Sequence, residues 1–361
     1  MRILIFNWRD LKHPQAGGSE FFLQEQAKIW VQNGHHVTWI CSGWKGCFQK
    51  KEIVDGIEII RIGNRVTMYL LAPLKYLLIK RPEVIIDAEN GIPFFTPLFA
   101  KAKKVLLIYH IHQNVWRKEM IFPFSWCGYF LEMMAMPIVY RNIPIVTISP
   151  SSNEDIKRMF CREGKIIYPG IDLKKYFPKE KSGNPEVVFI GRLKRYKSVD
   201  ILLKTAALLK DELITFYILG SGDEGKSLKE MAGRLQLKKV IFKGFISEKE
   251  KIEYLQRAWL VVNPSMVEGW SITNIEANAC GTIVIGSNVG GIKDSIIDGD
   301  TGLLFPYGDF QILSKKIKNL ISDEKGRRVM EKKALLWAQR FSWEESAHRF
   351  MEILKRVADI Q

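Results

Sequence analysis

The sequence has few cysteines and no leader-like apolar stretch. Its 361 residues include five cysteines, an odd number, and no two of them are spaced as Cys-x-x-Cys. This usage excludes a disulfide framework or a zinc ribbon and is typical of buried or incidental thiols in a reducing cytosol. The opening MRILIF is an apolar run of strand length followed by polar residues. We therefore expect no secretory signal peptide.

Acidic residues are also in deficit. Asp and Glu number 39 against 54 Lys and Arg, which gives a formal net charge of +15. Such a charge favours an anionic partner, namely nucleic acid, anionic lipid or a phosphorylated acceptor. No zinc-finger, helix-turn-helix or RNA-recognition pattern is present, so nucleic acid is not expected as a partner.

The remaining composition is that of a globular chain with more than one domain. Hydrophobic residues make up 47% and charged residues 26%, and no repeat or low-complexity tract occurs. Apolar runs of strand length alternate with helical segments throughout, which predicts an α/β fold with parallel sheets. The polar stretch KKYFPKEKSGNPE interrupts this pattern between two groups of such runs. We therefore predict two sheets, with an interdomain linker at residues 173–185.

The segment NPSMVEGWSITNIEANACGTIVIGS carries most of the information about function. AWLVVNP is a strand that stops at Pro264, TIVIG is a second strand, and between them lie a loop with Glu268 and a helix with Glu276. Ser271 or Thr273 is expected to cap this helix, and Gly281 to follow its end. In such a βαβ unit the amide end of the helix faces the edge of the sheet where ligands bind, which suits a phosphate.

This segment resembles the signature of two glutamates with seven residues between them, which is found in the retaining family 4 glycosyltransferases with the GT-B fold. Further segments match in the family's order: AGGSE, VTISPSS, YPGID, FIGRLKRYKSVD, FKGFISEKE, VGGIKDSIIDGDTGLLF and FSWEESAHRF. Each is weak alone, whereas the ordered set is specific. One departure is Ser271, where the family commonly has glycine.

The resemblance implies two Rossmann-like domains that face each other across a cleft. Residues 1–172 would form the acceptor-side domain, joined by the carboxy-terminal helix at about 342–361, and residues 186–341 would bind the nucleotide sugar. By the same resemblance, Arg192 and Lys197 would neutralise the leaving diphosphate, Glu268 would contact the donor sugar, and Glu276 would bind the ribose. Further donor-binding positions would be Gly17, Gly18, Gly191, Phe245, Ile246, Gly269, Trp270, Ser271 and Ile272.

On the acceptor side, family members commonly place a histidine near the donor sugar at a strand end. The best match is His110 in VLLIYHIHQ, with His112 as the second choice. Two histidines two residues apart on a strand would face the same side. A two-histidine metal site would lack further ligands, so no metal is expected.

Two other motifs give alternatives. GSGDEGKS at 220–227 fits the phosphate-loop pattern and would indicate a nucleoside triphosphatase that uses Lys226, but WLVVNP lacks the expected magnesium-binding aspartate. Asp298 and Asp300 form a DxD pair, but the neighbouring glycines favour a turn.

The segment from Trp116 to Arg141 is rich in large apolar residues and flanked by cations. It has two readings: a buried helix of the first domain, or a stretch that dips into a bilayer surface. Glu132 and two prolines argue against a membrane span. We expect a cytoplasmic protein, with a peripheral position on the cytoplasmic face of the membrane as the second reading.

The predicted function is therefore metal-independent transfer of a sugar from a UDP- or GDP-sugar to an acceptor hydroxyl with retention of configuration. The acceptor would be a glycan or a lipid-linked molecule, and no cofactor is required. The alternatives are the triphosphatase and a non-catalytic basic protein that binds membrane or nucleic acid.

Overall fold

The computed structural model describes residues 1–111 and 124–359 and divides the chain into two compact units. The first unit comprises Met1–Pro169 and the segment from Trp343 onward, and the second comprises Gly170–Ser342. The chain thus leaves the first unit, builds the second, and returns to the first.

The first unit is an α/β structure around one sheet. Its strands are β1 (Arg2–Phe6), β2 (His36–Ser42), β3 (Lys51–Val54), β4 (Ile57–Ile62), β5 (Val84–Glu89), β6 (Lys103–Ile108), β7 (Ile145–Thr147) and β8 (Lys165–Ile166). The strand order is β3-β4-β2-β1-β5-β6-β7-β8, and only β3 runs antiparallel to its neighbour. An Asp55-Gly56 turn, with both residues at positive φ, joins β3 to β4. This is the turn chemistry that a two-residue hairpin requires.

Helices cover both faces of this sheet. They are α1 (Gly18–Gln32), α2 (Thr67–Leu77), α3 (Phe124–Phe130), a π-helical turn (Leu131–Ala135), α4 (Met136–Val139) and α5 (Pro150–Phe160). Parallel strands need such crossover helices, because a parallel neighbour cannot be reached by a tight turn.

The second unit is built around a second sheet. Its strands are β9 (Glu186–Ile190), β10 (Thr215–Leu219), β11 (Val240–Gly244), β12 (Leu260–Asn263), β13 (Ile283–Ser287) and β14 (Gly302–Phe305). All are parallel, in the order β11-β10-β9-β12-β13-β14. Its helices are α6 (Val199–Leu208), α7 (Gly225–Arg234), α8 (Glu248–Arg257), α9 (Ile272–Ala279), α10 (Gly290–Ser295), α11 (Phe310–Ser322) and α12 (Glu324–Ala338). Two parallel-sheet units confirm the α/β prediction.

The last helix, α13 (Trp343–Asp359), belongs to the first unit. Its buried stripe includes Phe350 and Ala347, which pack on α1: the Phe350 ring lies 5.3 Å from that of Trp30, whose indole N–H donates to the Ala347 carbonyl. The final helix thus completes the core of the unit that the first residues begin.

Among the described residues, no helix combines the length and the apolar character that crossing a bilayer requires. The predicted apolar segment at 116–141 is described only from residue 124 onward; its earlier part lies outside the described residues.

Candidate active site

An ion pair between Lys197 and Glu268 lies at the carboxyl edge of the second sheet. The lysine ends a short 3₁₀ turn (Arg195–Lys197) after β9, and the glutamate lies in the loop after β12. Each side chain is 17% exposed, and the Ser265 hydroxyl lies 3.2 Å from the paired carboxylate oxygen of Glu268. Burial opposes the charge of Lys197, but Glu268 outweighs it and raises the pKa of the lysine. Lys197 therefore stays protonated at neutral pH.

Sheet topology explains why these residues meet. β9 and β12 are parallel neighbours, so their carboxyl ends deliver two loops to the same edge. The Met266 amide donates to the Tyr196 carbonyl at 2.8 Å and joins the two loops directly. Arg192 donates to the Tyr196 hydroxyl at 3.1 Å. The structure thus brings Arg192, Lys197 and Glu268 to the same edge of the sheet.

The loop that carries Glu268 is held by the glycine pair that follows β13. The Gly291 amide donates to the Glu268 carbonyl at 3.0 Å, and a Cβ on Gly291 would stand 2.1 Å from the Gly269 carbonyl oxygen. Only glycine allows this approach. The Trp270 ring is buried against Phe341 at 5.2 Å, so a donor contact by Trp270 would have to come from its backbone.

Ser271 precedes α9 with an unusual backbone. Its φ of 69° lies in the left-handed region, where glycine is ordinarily preferred. Helix α9 begins at Ile272 with Ser271 at the N-cap position, as expected, but the Ser271 side chain makes no capping hydrogen bond. The reason is that the Ser271 hydroxyl accepts from the Asn263 amide group at 2.9 Å instead.

Glu276 is buried inside α9 and held by two partners. Lys251 on α8 donates to its Oε1 at 2.8 Å, and the Tyr176 hydroxyl lies 2.9 Å from the same oxygen and 2.5 Å from a carboxylate oxygen of Glu248. Lys251 also lies 3.1 Å from Glu248, so one lysine joins two carboxylates. Burial opposes the charge of Lys251, yet Glu276 raises its pKa. Sequence reasoning missed Tyr176 and Lys251, because no motif marks them.

The other predicted donor positions surround the same edge. Gly191 and Ile272 are partly buried at the beginnings of their loop and helix, and Ile246 is partly buried after β11. Phe245 is 85% exposed at the end of that strand. A large aromatic side chain in solvent beside a ligand edge is suited to cover a flat ring.

The phosphate-loop alternative meets a structural obstacle. In GSGDEGKS the Glu224 amide donates to the Leu193 carbonyl at 3.0 Å and the Gly225 amide to Gly222 at 3.0 Å. A Cβ on Gly222 would approach the Leu193 carbonyl oxygen to 2.3 Å. These amides and glycines pack one loop on another, whereas a phosphate loop needs its amides directed at phosphate.

The Asp298–Asp300 pair is a turn, as the sequence indicates. Asp298 accepts from the Leu304 amide at 2.8 Å, and Asp300 pairs with Lys333 on α12. Within the described ranges, no cluster of three or more His, Cys, Asp or Glu side chains is arranged to hold a metal ion.

In the first unit, Gly17 and Gly18 form the start of α1, with Gly17 as its N-cap. The helix is anchored by Glu20, which sequence reasoning missed although it follows the two glycines in AGGSE. Glu20 is fully buried and accepts from the Gly17 amide at 2.8 Å, from Asn90 at 2.7 Å and from Arg9 at 3.1 Å. Its position three residues after a glycine N-cap is the signal that could have identified it.

His110 lies two residues beyond the end of β6 and is partly buried, and His112 lies outside the described residues. His110 thus follows the end of β6, which ends at Ile108, so the same-face geometry of two residues on a strand does not apply to it. The neighbouring Tyr109 donates to the Ser19 carbonyl at 3.0 Å and so ties this end of β6 to the start of α1. Gly17, Gly18 and His110 therefore belong to one region of the first unit.

Comparisons with known proteins agree with this division of the chain. Residues 16–175 match the model described as Glycosyltransferase Family 4, and residues 172–337 match that of Glycosyl transferases group 1. A D-inositol 3-phosphate glycosyltransferase of Corynebacterium urealyticum is 29% identical over 53% of this chain and 51% of its own length. The protein of that name in Rhodococcus jostii is 30% identical over 52% of this chain and 46% of its own. The chain thus spans about half the length of the curated relatives it matches.

Solved structures share the fold over the whole chain. Sucrose-phosphate synthase of Thermosynechococcus elongatus superposes with a TM-score of 0.85 at 20% identity, covering 99% of this chain and 98% of that one. HepE of Anabaena, solved with UDP-glucose, gives a TM-score of 0.77 at 19% identity, covering 99% and 100%. WaaG, a glycosyltransferase involved in lipopolysaccharide biosynthesis, gives 0.77 at 16% identity, covering 98% and 99%.

Proposed function

Since the chain belongs to the group 1 glycosyltransferases with the GT-B fold, we propose that it moves a sugar from a nucleotide-diphosphate sugar to an acceptor hydroxyl with retention of configuration. The observation that carries the proposal is the group of Arg192, Lys197 and Glu268 at the carboxyl edge of the second sheet, beside the amino end of α9. Two cations and a helix amide end suit a diphosphate.

The proposed reaction assigns one task to each group. The bond from the sugar C1 to the diphosphate oxygen breaks with its electron pair on that oxygen, while Arg192 and Lys197 stabilise the growing charge. The acceptor oxygen forms the new bond to C1 from the same face, and its proton passes to the leaving phosphate. No covalent nucleophile and no metal are needed in this scheme. Glu268 keeps Lys197 in place and contacts the donor sugar.

Recognition of the nucleoside falls to the neighbouring loops. Glu276 accepts hydrogen bonds from the ribose hydroxyls, and the exposed Phe245 covers the base. Gly17, Gly18 and His110 in the first unit act on the acceptor side. The base stays open between uracil and guanine, and HepE, solved with UDP-glucose, supports UDP.

For the acceptor, we propose a glycan or lipid-linked molecule handled in the cytoplasm. The net charge of +15 supports an acceptor that bears phosphate or lies at an anionic surface. The non-catalytic alternative would not need Arg192, Lys197, Glu268 and Glu276 to be present together, as they are here.

Nucleotide release from UDP-glucose, UDP-galactose, UDP-N-acetylglucosamine, GDP-mannose and ATP tests the proposal, with EDTA and separately with magnesium. Lys197→Met is expected to lower kcat by roughly 100-fold or more, the loss typical of a removed transition-state contact. The matched control is Lys194→Met, since Lys194 lies in the same segment but pairs with Asp223. NMR of the product determines the anomeric configuration of the transferred sugar and so tests whether the configuration is retained.

Release of UDP or GDP that survives EDTA and requires Lys197 would support the proposal. Magnesium-dependent ATP cleavage lost in Lys226→Ala would contradict it and favour the phosphate loop. Equal rates for Lys197→Met and the wild type would also contradict it.

A further inference from the structure

Helix α2 is apolar on both of its faces. Its inner face is buried, with Met68 and Ala72 fully covered by the core beneath β1, β2 and β4. Its outer face is also apolar, and Leu74 and Leu77 are 60% and 75% exposed. The exposed set is Val66, Leu70, Leu71, Leu74, Leu77 and Leu78. A helix on a soluble surface normally turns polar residues outward, so this outer face is suited to a partner.

A second helical segment of the same unit repeats the arrangement. From α3 through α4, the side chains of Trp126, Phe130, Met134 and Ile138 are all more than half exposed and recur every four residues. Met136 faces inward and is fully buried. The four exposed side chains therefore form one stripe along the segment.

Both segments cover the same face of the first sheet. Paired residues of parallel strands point to the same side, and Ile85, in the core under α2, pairs with Lys104. Leu106 follows Lys104 by two residues on β6, and residues two apart on a strand point to the same side of the sheet. Leu106, which lies in the core under α4, therefore points to the same side as Ile85. The hydrogen bond from Tyr140, which ends α4, to Asp87 on β5 agrees. Helices α1 and α13, by contrast, pack on each other. They contribute no residue to the core under α2 or to the core under α4.

The charge around α2 is of one sign. Residues 59–82 contain no Asp or Glu, and their accessible cations are Arg65, Lys75, Lys80 and Arg81. In the part of the chain that the structure describes, none of these four forms an ion pair. Arg141, exposed, follows the second segment. A second copy of this chain would bring like charges together across a symmetric contact, whereas an anionic surface would be attracted.

We propose that this apolar-basic face, formed by residues 65–81 and 126–141, docks the first unit on an anionic lipid bilayer. Leucines and Trp126 enter the boundary between headgroups and acyl chains, and the lysines and arginines contact the headgroups. Two apolar helical stripes on one side of a sheet fit a broad planar partner better than they fit a single peptide. No step of the proposed transfer uses these residues, so the inference stands apart from the catalytic proposal.

Vesicle flotation of the full chain tests it, with phosphatidylcholine vesicles and with equimolar phosphatidylcholine and phosphatidylglycerol, at low and at high salt. The double variant Leu74→Glu/Leu77→Glu alters two exposed side chains and is expected to weaken binding to anionic vesicles by at least about tenfold. Lys80→Gln/Arg81→Gln should weaken it by roughly fivefold per cation, and high salt should weaken the wild type.

The matched control is Leu336→Glu, a leucine that is 63% exposed on α12 of the second unit. It should float like the wild type, and thermal melts should be unchanged in every variant. Nucleotide release with a water-soluble acceptor should also be unchanged, which separates this inference from the proposed reaction.

Failure of the wild type to float with anionic vesicles would overturn the proposal, as would equal flotation of the leucine double variant. Sedimentation velocity tests the alternative that a second copy of this chain binds to the face. A wild-type dimer that the leucine variant dissociates, together with absent flotation, would assign the face to a second copy of the chain instead.

Discussion

At the residue scale, the arrangement around Glu276 shows how a buried carboxylate is held in place. Its carboxylate is buried, Lys251 donates to its Oε1, and the Tyr176 hydroxyl, which Glu276 shares with Glu248, lies against the same oxygen. These contacts hold the carboxylate in one orientation. A hydrogen bond to a charged group contributes about 1.5–3 kcal/mol, so Glu276 depends on Lys251.

Lys251→Met is therefore expected to raise the KM for the nucleotide sugar by about tenfold or more while changing kcat little. The physical reason is that Glu276 would lose its cation and face Glu248 without the lysine between them. Steady-state kinetics measure the split. Lys249→Met, an exposed lysine on the same helix, is the control and should behave as the wild type. A fall in kcat with an unchanged KM would contradict the assigned role.

His13 provides a prediction for pH. Burial beside Trp8 and Trp44, together with the charge of Arg9, lowers the pKa of His13 to about 4. The unfolded chain takes up this proton near pH 6.5 and the folded chain does not, so the free energy of unfolding falls as the pH drops from about 6.5 to 4. After allowance for solvent screening, the loss is about 1–2 kcal/mol.

Urea unfolding at pH 7 and near pH 4.5 measures this loss, with His13→Asn expected to reduce the pH dependence by that amount. His348→Asn, an exposed histidine on α13, is the control and should leave it unchanged. An identical pH dependence in His13→Asn and the wild type would show that other groups are responsible.

Motif residues could be predicted from the sequence, whereas their supports could not. Lys197 and Glu268 each stand in a recognisable string, but their pairing depends on β9 and β12 being neighbours. Tyr176 lies 100 residues from Glu276 and Lys251 lies 25 residues from it, and neither stands in a motif. Contacts of this kind are made by tertiary packing, which a single sequence does not encode locally.

At the scale of elements, the site depends on backbones that approach each other closely. The loop of Glu268 rests on Gly291 at the start of α10, where there is no space for a Cβ. A position in a loop is thereby set by a helix from a different part of the sequence. Ser271, which stands where the family commonly has glycine, lies in the same loop and has a φ of 69°.

Gly291→Ala is expected to displace the Glu268 loop, because its Cβ would lie 2.1 Å from the Gly269 carbonyl oxygen. Overpacking of this kind costs about 1–3 kcal/mol, and kcat/KM should fall by roughly tenfold or more. Thermal melts and nucleotide-release kinetics measure the two effects. Gly233→Ala on α7 is the matched control, since its Cβ would meet nothing within 4 Å. Equal stability and equal kcat/KM in Gly291→Ala and Gly233→Ala would contradict a role for the close approach of Gly291 to Gly269.

Elements with strong apolar patterns were predictable, and weakly patterned ones were not. The sequence identifies the long strands of both sheets, but it misses β3 and β8, which have only four and two residues. The exposed outer face of α2 was also missed, because apolar residues on all sides of a helix ordinarily indicate burial. The sequence pattern predicts that a helix face is apolar, but it does not show whether that face is buried in the protein or exposed at its surface.

At the scale of the whole molecule, the first unit is assembled from both ends of the chain. Helix α13 supplies buried side chains from Trp343 to Val357, and Phe22 and Trp30 of α1 pack against its Phe350. The second unit is continuous from Gly170 to Ser342. The two units therefore differ in what they need from the rest of the chain.

Truncation after Ser342 is expected to unfold the first unit and leave the second folded. Removal of α13 would expose several large apolar side chains of α1, each of which contributes about 1.5–3 kcal/mol when buried. Hydrogen exchange resolved by peptide measures the outcome in each unit separately. Retained protection in β1, β2 and α1 of the truncated chain would contradict the prediction.

The return of the chain to its first unit also has a consequence for synthesis. After Pro169 leaves the ribosome, a further 173 residues, Gly170–Ser342, are translated before Trp343 appears. At roughly 5–20 residues per second, this interval is on the order of 10–35 s. During that time the α1 surface that will receive α13 remains uncovered on the nascent chain. During early folding this protein therefore presents an apolar surface to which chaperones can bind, and rapid translation of the second unit would shorten that period.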